Sequence, residues 1–301
     1  MQKNAKAPII VGCMRLADMT AQEMNAYIAQ AVEMDVKFFD HADIYGGGRS
    51  EQVFGEALQL GGIDREDLFI QSKCAIRKEG MGFYDQSKEY ILESVDGILK
   101  RLQIDYLDSL LLHRPDALVE PEEVAEAFEL LHQQGKVRLF GVSNHKPSQI
   151  ALLQKYVKQP IIYNQMQFSI AVSNMIANGM EVNMETPGAV DYDGSVLDYC
   201  RLHDITIQAW SPFQMPSWQG CFIGSEKYPQ LNEKLTELAK KYGVAETTIA
   251  AAWILRHPAH IQVIAGTSKI AHLKEIVDAT GVQLSRQEWY ELYLSAGHPL
   301  P

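Results

Sequence analysis

Eight short apolar or β-branched runs, separated by longer stretches of helical periodicity, constrain this 301-residue chain more than any other feature. The runs fall at residues 9–13, 37–39, 68–72, 106–112, 137–142, 161–164, 205–209 and 262–264. Amphipathic segments lie between them, at 21–34, 51–60, 87–102, 121–134, 146–156, 195–203, 231–242 and 270–279, with a further helix expected at 246–256, ahead of the eighth strand. A strand followed by a helix, repeated, cannot form hairpins; it lays the strands parallel and the helices outside them. Eight such pairs favour an α/β fold of the closed (β/α)8 (TIM) barrel type, one domain over residues 1–301, over an open doubly wound sheet. The glycine fingerprint GxGxxG that opens a doubly wound dinucleotide fold is also missing after the first run.

Local signals agree with these boundaries. Thr20 with Glu23 three residues on forms a capping-box pattern, Pro121 suits a first helical turn, and Gly135 sits where a helix should stop. Gly46-Gly47-Gly48 reads as a tight turn, with phosphate cradling a lesser alternative. Two long connections, 166–194 and 211–230, follow the sixth and seventh runs and carry apolar and aromatic side chains. They are expected to act as lids or as anchored walls at the end of the barrel where sites are built.

Net charge is −11, from 38 acidic against 27 basic residues, which excludes a general nucleic-acid binder while leaving room for a local phosphate site. Cys13, Cys74, Cys200 and Cys221 are far apart, without CxxC spacing, and read as reduced buried thiols. The nine histidines are scattered without paired ligand spacing, so no metal is expected and a metal-dependent barrel enzyme is disfavoured. The first residues lack the apolar core of a signal peptide and no run approaches a membrane span, so a cytoplasmic protein without membrane contact is expected.

Four ionisable residues fall at or just beyond the ends of the second, third and fourth runs: Asp40, Tyr45, Lys73 and His113. A barrel gathers them at one mouth. A phenol with a reference pKa of about 10 is normally protonated, and a nearby cation is expected to lower that value and make it a useful proton donor. Lys73 is the candidate cation, Asp40 the group that keeps it charged, and His113 the group that orients a carbonyl oxygen as it gains negative charge. Taken singly, each residue has a structural alternative: an ion pair, a turn histidine, a packed tyrosine.

With the strings FFDHADIYG, FIQSK and LLLHRPD in view, the chain from residue 9 to about 278 resembles the aldo-keto reductase superfamily. The resemblance implies reduction of a small-molecule carbonyl by hydride transfer from NADPH, with Tyr45 as general acid and Asp40, Lys73 and His113 completing the tetrad. It also implies that Ser143, Asn144 and Gln165 hold the nicotinamide carboxamide, that Trp210 stacks on the ring, and that Ser211 approaches the pyrophosphate. The segment containing Gly266, Thr267, Ser268, Lys269 and His272 resembles the one that receives the adenosine phosphate at a helix N-terminus. It departs from the family where a lysine is expected at Gly266 and an arginine at His272, leaving Lys269 as the evident cation; NADPH is favoured, with NAD the alternative. Thr267 or Ser268 also suits a simple helix cap.

A binding module that holds the cofactor while serving another protein is the competing reading, disfavoured by the intact tetrad and the absence of a long N-terminal extension. The chain stops soon after a final helix, so it is expected to lack a long C-terminal specificity loop. The open, apolar connections point to broad use of small aldehydes or ketones. Oligomeric state is not legible.

Overall fold

Eight strands close into a parallel barrel in a computed structural model that describes residues 4–78 and 80–300, so the first three residues and Pro301 lie outside it. The first three strands of the wall are β1 (Ile9–Gly12), β2 (Phe38–Asp40) and β3 (Phe69–Cys74). A two-stranded antiparallel hairpin, β4 (Ile76–Arg77) with β5 (Phe83–Tyr84), follows outside the wall. The barrel continues through β6 (Leu107–Leu112), β7 (Val137–Ser143), β8 (Ile161–Gln167), β9 (Thr206–Trp210) and β10 (Gln262–Ala265). Closure comes from β1, which pairs with both β2 and β10.

Helices α1 (Ala21–Glu33), α2 (Arg49–Gln59), α3 (Lys88–Leu102), α4 (Pro121–Gln133) and α5 (Pro147–Gln154) each follow a barrel strand. The connection after β8 holds α6 (Asn174–Met180) before α7 (Val196–Leu202), and the one after β9 leads to α8 (Pro229–Tyr242) and α9 (Glu246–Leu255). After β10 come α10 (Ile270–Asp278) and α11 (Arg286–Ser295). The expected punctuation is present: Thr20 and Glu23 cap α1 reciprocally, Pro121 opens α4, and Gly135 turns the chain beyond its end with φ +70°. The hairpin, α6 and α11 lie outside the segments expected from the sequence. Among the described residues, no helix is long and apolar enough to cross a membrane.

The barrel interior changes character along its axis. At the floor, Phe38 packs against Phe69 with the rings tilted and their centroids 4.2 Å apart, and Tyr163 donates to the Ala5 carbonyl at 2.8 Å, so aromatic rings and the incoming N-terminal segment plug that end. Above the plug, pairing sets Asp40 beside Gln71, and Gln165 beside Gln208. These buried amides bond to one another and to Asp40, and their polar atoms are affordable inside a barrel because each amide finds a partner. The larger apolar core lies outside the wall, between strands and helices.

Candidate active site

The strand ends deliver their side chains to one mouth. Tyr45 follows β2 through a short turn, and the three glycines after it all adopt left-handed φ, at +58°, +64° and +90°. A Cβ on Gly46 would lie 2.6 Å from that of Ala17, so the run works as the tight turn expected. Lys73, from β3, is fully buried: its ammonium donates to Asp40 Oδ2 at 2.7 Å, to the His41 carbonyl at 2.7 Å and to Tyr45 Oη at 3.0 Å. Since the tyrosine oxygen accepts there, its own proton is free for the cleft that Tyr45 lines. The His113 ring meets the Tyr45 ring edge-on, 6.0 Å between centroids, with Nδ1 buried and without a partner among the described residues.

Asp40 is fixed on its other oxygen. Gln71 donates to Oδ1 at 2.6 Å and Gln165 at 3.1 Å, while Gln208 ties both glutamines together. Burial works against the Lys73 charge, but the Asp40 carboxylate beside it holds the ammonium above its ordinary value. Burial likewise keeps His113 neutral, its pKa well below the usual histidine range, with the charges of Lys73, Arg114 and Lys78 pushing the same way.

One expectation is corrected here: the Tyr45 hydroxyl is pushed up, not down. Burial is the largest influence, and the Lys73 ammonium pulls against it without overcoming it. The phenol is therefore kept protonated, as a proton donor needs, while the adjacent ammonium favours the phenolate only as it forms.

The mouth opens into a cleft of about 630 Å³ whose walls include Asp40, Tyr45, His113, Ser143, Asn144, Gln165, Trp210 and Ser211, together with Gly266, Thr267 and His272. Asn144 sits at φ +58°; it donates to Ser143 Oγ at 2.8 Å and accepts from the Trp210 indole at 3.1 Å, while Ser143 donates to the Gln165 carbonyl. Gln165 spends Nε2 on Asp40 and Gln208, which leaves Oε1 for the cleft. Trp210 is itself stacked on Trp218 at 5.3 Å, from the connection after β9. Ser268 faces a second hollow, which shares Arg15 with the main cleft, and Lys269 lines neither. The Thr267 hydroxyl accepts from the Lys269 amide at 3.1 Å in a local turn just ahead of α10, and neither Thr267 nor Ser268 caps that helix, whose N-cap position is Lys269 and which begins without a side-chain cap.

Arg15, Lys78 and Arg114 also line the cleft and were not singled out from the sequence, although each follows a barrel strand or its hairpin and Arg114 directly follows His113. Gln71 and Gln208 were missed because interior glutamines carry no motif. Three of the four cysteines are buried as expected; Cys221 is the exception, exposed and on the cleft wall.

A closed parallel barrel with an ionisable cluster at the strand C-termini is the architecture of a barrel enzyme. The model of the Aldo/keto reductase family matches residues 8–293, and the chain belongs to that family of oxidoreductases. Oxidoreductase YdhF of Escherichia coli (strain K12) is 34% identical, over 97% of this chain and 94% of its own length. A 6-dehydroglucose reductase of Agrobacterium fabrum (strain C58 / ATCC 33970) is 31% identical, over 96% of this chain and 93% of its own. Among solved structures, the thermostable aldo-keto reductase Tm1743, in complex with the inhibitor epalrestat, superposes with a TM-score of 0.75 at 27% identity, covering 96% of this chain and 94% of that one. An aldo-keto reductase from Klebsiella pneumoniae in complex with NADPH shares the fold, with a TM-score of 0.76 at 23% identity, covering 98% and 92%.

Proposed function

We propose that the protein reduces an aldehyde or ketone to the alcohol with NADPH, Tyr45 giving the proton. The observation that carries this reading is the Asp40–Lys73–Tyr45 chain, at 2.7 and 3.0 Å, ending in a phenol that lines a cleft. The cofactor fits the residues present. Trp210 offers an aromatic face, Gln165 Oε1 an acceptor for a carboxamide, and the uncapped start of α10 a set of amides for phosphate. Ser143 and Asn144 hold those groups in place through their mutual hydrogen bond, and Ser211 lies on the same wall. Arg15, placed between the main cleft and the hollow at Ser268, joins Lys269 and His272 as a candidate partner of the 2′-phosphate. NADH uses the same cleft without that contact.

When bound, the cofactor supplies the hydride. His113, neutral, donates a hydrogen bond to the carbonyl oxygen and fixes it beside Tyr45. As the carbon takes the hydride, the oxygen becomes an alkoxide and takes the Tyr45 proton; Lys73 steadies the tyrosinate, and Asp40 keeps Lys73 charged. Solvent then returns the proton to Tyr45. The Klebsiella neighbour is in complex with NADPH and the Agrobacterium relative is named a 6-dehydroglucose reductase, which supports the reading. The test is NADPH consumption by the purified protein against a carbonyl panel, with the alcohol identified. Consumption that requires the carbonyl is expected; bound NADPH that no carbonyl oxidises would leave only a binding module.

A further inference from the structure

Two cations stand on the Tyr45 side of the cleft, and among the described residues no carboxylate pairs with either. Lys78, beside the β4–β5 hairpin, donates to the Ile44 carbonyl at 3.1 Å, one residue from Tyr45. Arg114 directly follows His113, its guanidinium 5.9 Å from the centre of the Trp210 ring. Both line the cleft. Neither has a carboxylate within ion-pair distance among the described residues, whereas Lys73 is matched by Asp40, the one acid on the cleft wall. Both charges reach His113, on which burial, Lys73, Arg114 and Lys78 act together to disfavour the imidazolium.

A bare cation at the wall of a cleft loses water when a substrate closes over it, and only an oxygen acceptor on that substrate offsets the loss. The chemistry that answers Arg114 is planar, a fork of N–H donors suited to a carboxylate or to neighbouring hydroxyls; Lys78 adds a point charge with donors to spare. An alkyl chain offers neither residue anything.

We infer that Lys78 and Arg114 are specificity-determining residues that select carbonyl substrates bearing oxygen acceptors, carboxylate or hydroxyl, on the three carbons beyond the reacting carbonyl. The inference rests on the carbonyl-reductase reading and narrows the broad use of small aldehydes that the apolar loops suggest. It makes the apolar connection after β9 a cover and the two cations the discriminating contacts.

The test uses the whole enzyme with saturating NADPH and three four-carbon aldehydes: butanal, D-erythrose and 4-oxobutanoate. The native enzyme is expected to show a kcat/KM at least tenfold higher for one or both oxygenated aldehydes than for butanal. In Arg114→Gln and, separately, in Lys78→Gln, that ratio is expected to fall at least fivefold, with the NADPH dissociation constant confirming a folded cofactor site. A preference confined to 4-oxobutanoate assigns the site to a carboxylate, and one confined to D-erythrose assigns it to hydroxyls. Arg114→Lys should recover part of the carboxylate preference. Native ratios near one, or ratios unmoved in both variants, overturn the inference. If NADPH binds yet none of the three aldehydes, nor any of the wider panel, is reduced, the carbonyl-reductase reading falls with it.

Discussion

Tyr45 stands between burial, which raises its pKa, and the Lys73 ammonium 3.0 Å away, which lowers it; burial prevails. A phenol held above its ordinary value of about 10 stays protonated through the neutral and mildly alkaline range. The rate of carbonyl reduction at saturating substrate is therefore expected to hold level from pH 7 to 9.5. A decline centred near pH 8 would mean a tyrosine lowered by its lysine instead. Lys73 and Asp40 are buried together, so Lys73→Met strands a carboxylate and is expected to cost about 3–5 kcal/mol of stability, read from the urea midpoint. At this scale the sequence was generous where a residue type carries chemistry. Asp40, Tyr45, Lys73 and His113 were legible from their spacing at strand ends, and they reach one mouth. Gln71, which donates to Asp40, and Gln208, which accepts from both Gln71 and Gln165, were not, because a glutamine inside a strand looks the same whether it faces a neighbour or solvent.

Among elements, the barrel strands and the helices around them were readable because β-branched runs and the 3.6-residue period reflect which face is buried. The β4–β5 hairpin escaped because strands of two residues are too short to show a period, and α6 because Asn178 and Gly179, poor helix formers, interrupt its seven residues inside a long connection. Their positions come from the strands they follow, and Lys78 reaches the cleft from that hairpin's edge. Close approach of helices leaves a further mark. Where α2 crosses the end of α3, a Cβ on Gly55 would lie 2.5 Å from the Arg101 carbonyl oxygen and 2.6 Å from that of Leu102. Backbone cannot yield as a flexible side chain can, so Gly55→Ala is expected to destabilise by about 1–3 kcal/mol despite its better helix propensity. An unchanged urea midpoint would show that the two helices separate freely.

For the molecule as a whole, periodicity supplied eight strands but not the closure, which depends on β1 reaching β10 across more than 250 residues of chain. The same closed packing sets how the protein meets acid. Burial drives His41 down to about 3 and His145 and His257 to about 4, so the unfolded chain takes up protons from about pH 6.5 that the folded one refuses. Asp43, raised to about 7 chiefly by burial, opposes this, as do Glu51 and Asp193; Glu288, held at about 2 by Lys241 and Ser285 against burial, adds to it at lower pH. With histidines prevailing, the urea midpoint should fall steadily from pH 6.5 to 4, and a midpoint that rises over that range would contradict the balance. The central claim, that Tyr45 gives the proton to a carbonyl reduced in the cleft, is tested most directly by Tyr45→Phe, which removes one oxygen and little volume. Carbonyl reduction is expected to drop by about 10²–10⁴-fold while the NADPH dissociation constant stays within twofold of the native value; turnover within threefold of the native enzyme would contradict it.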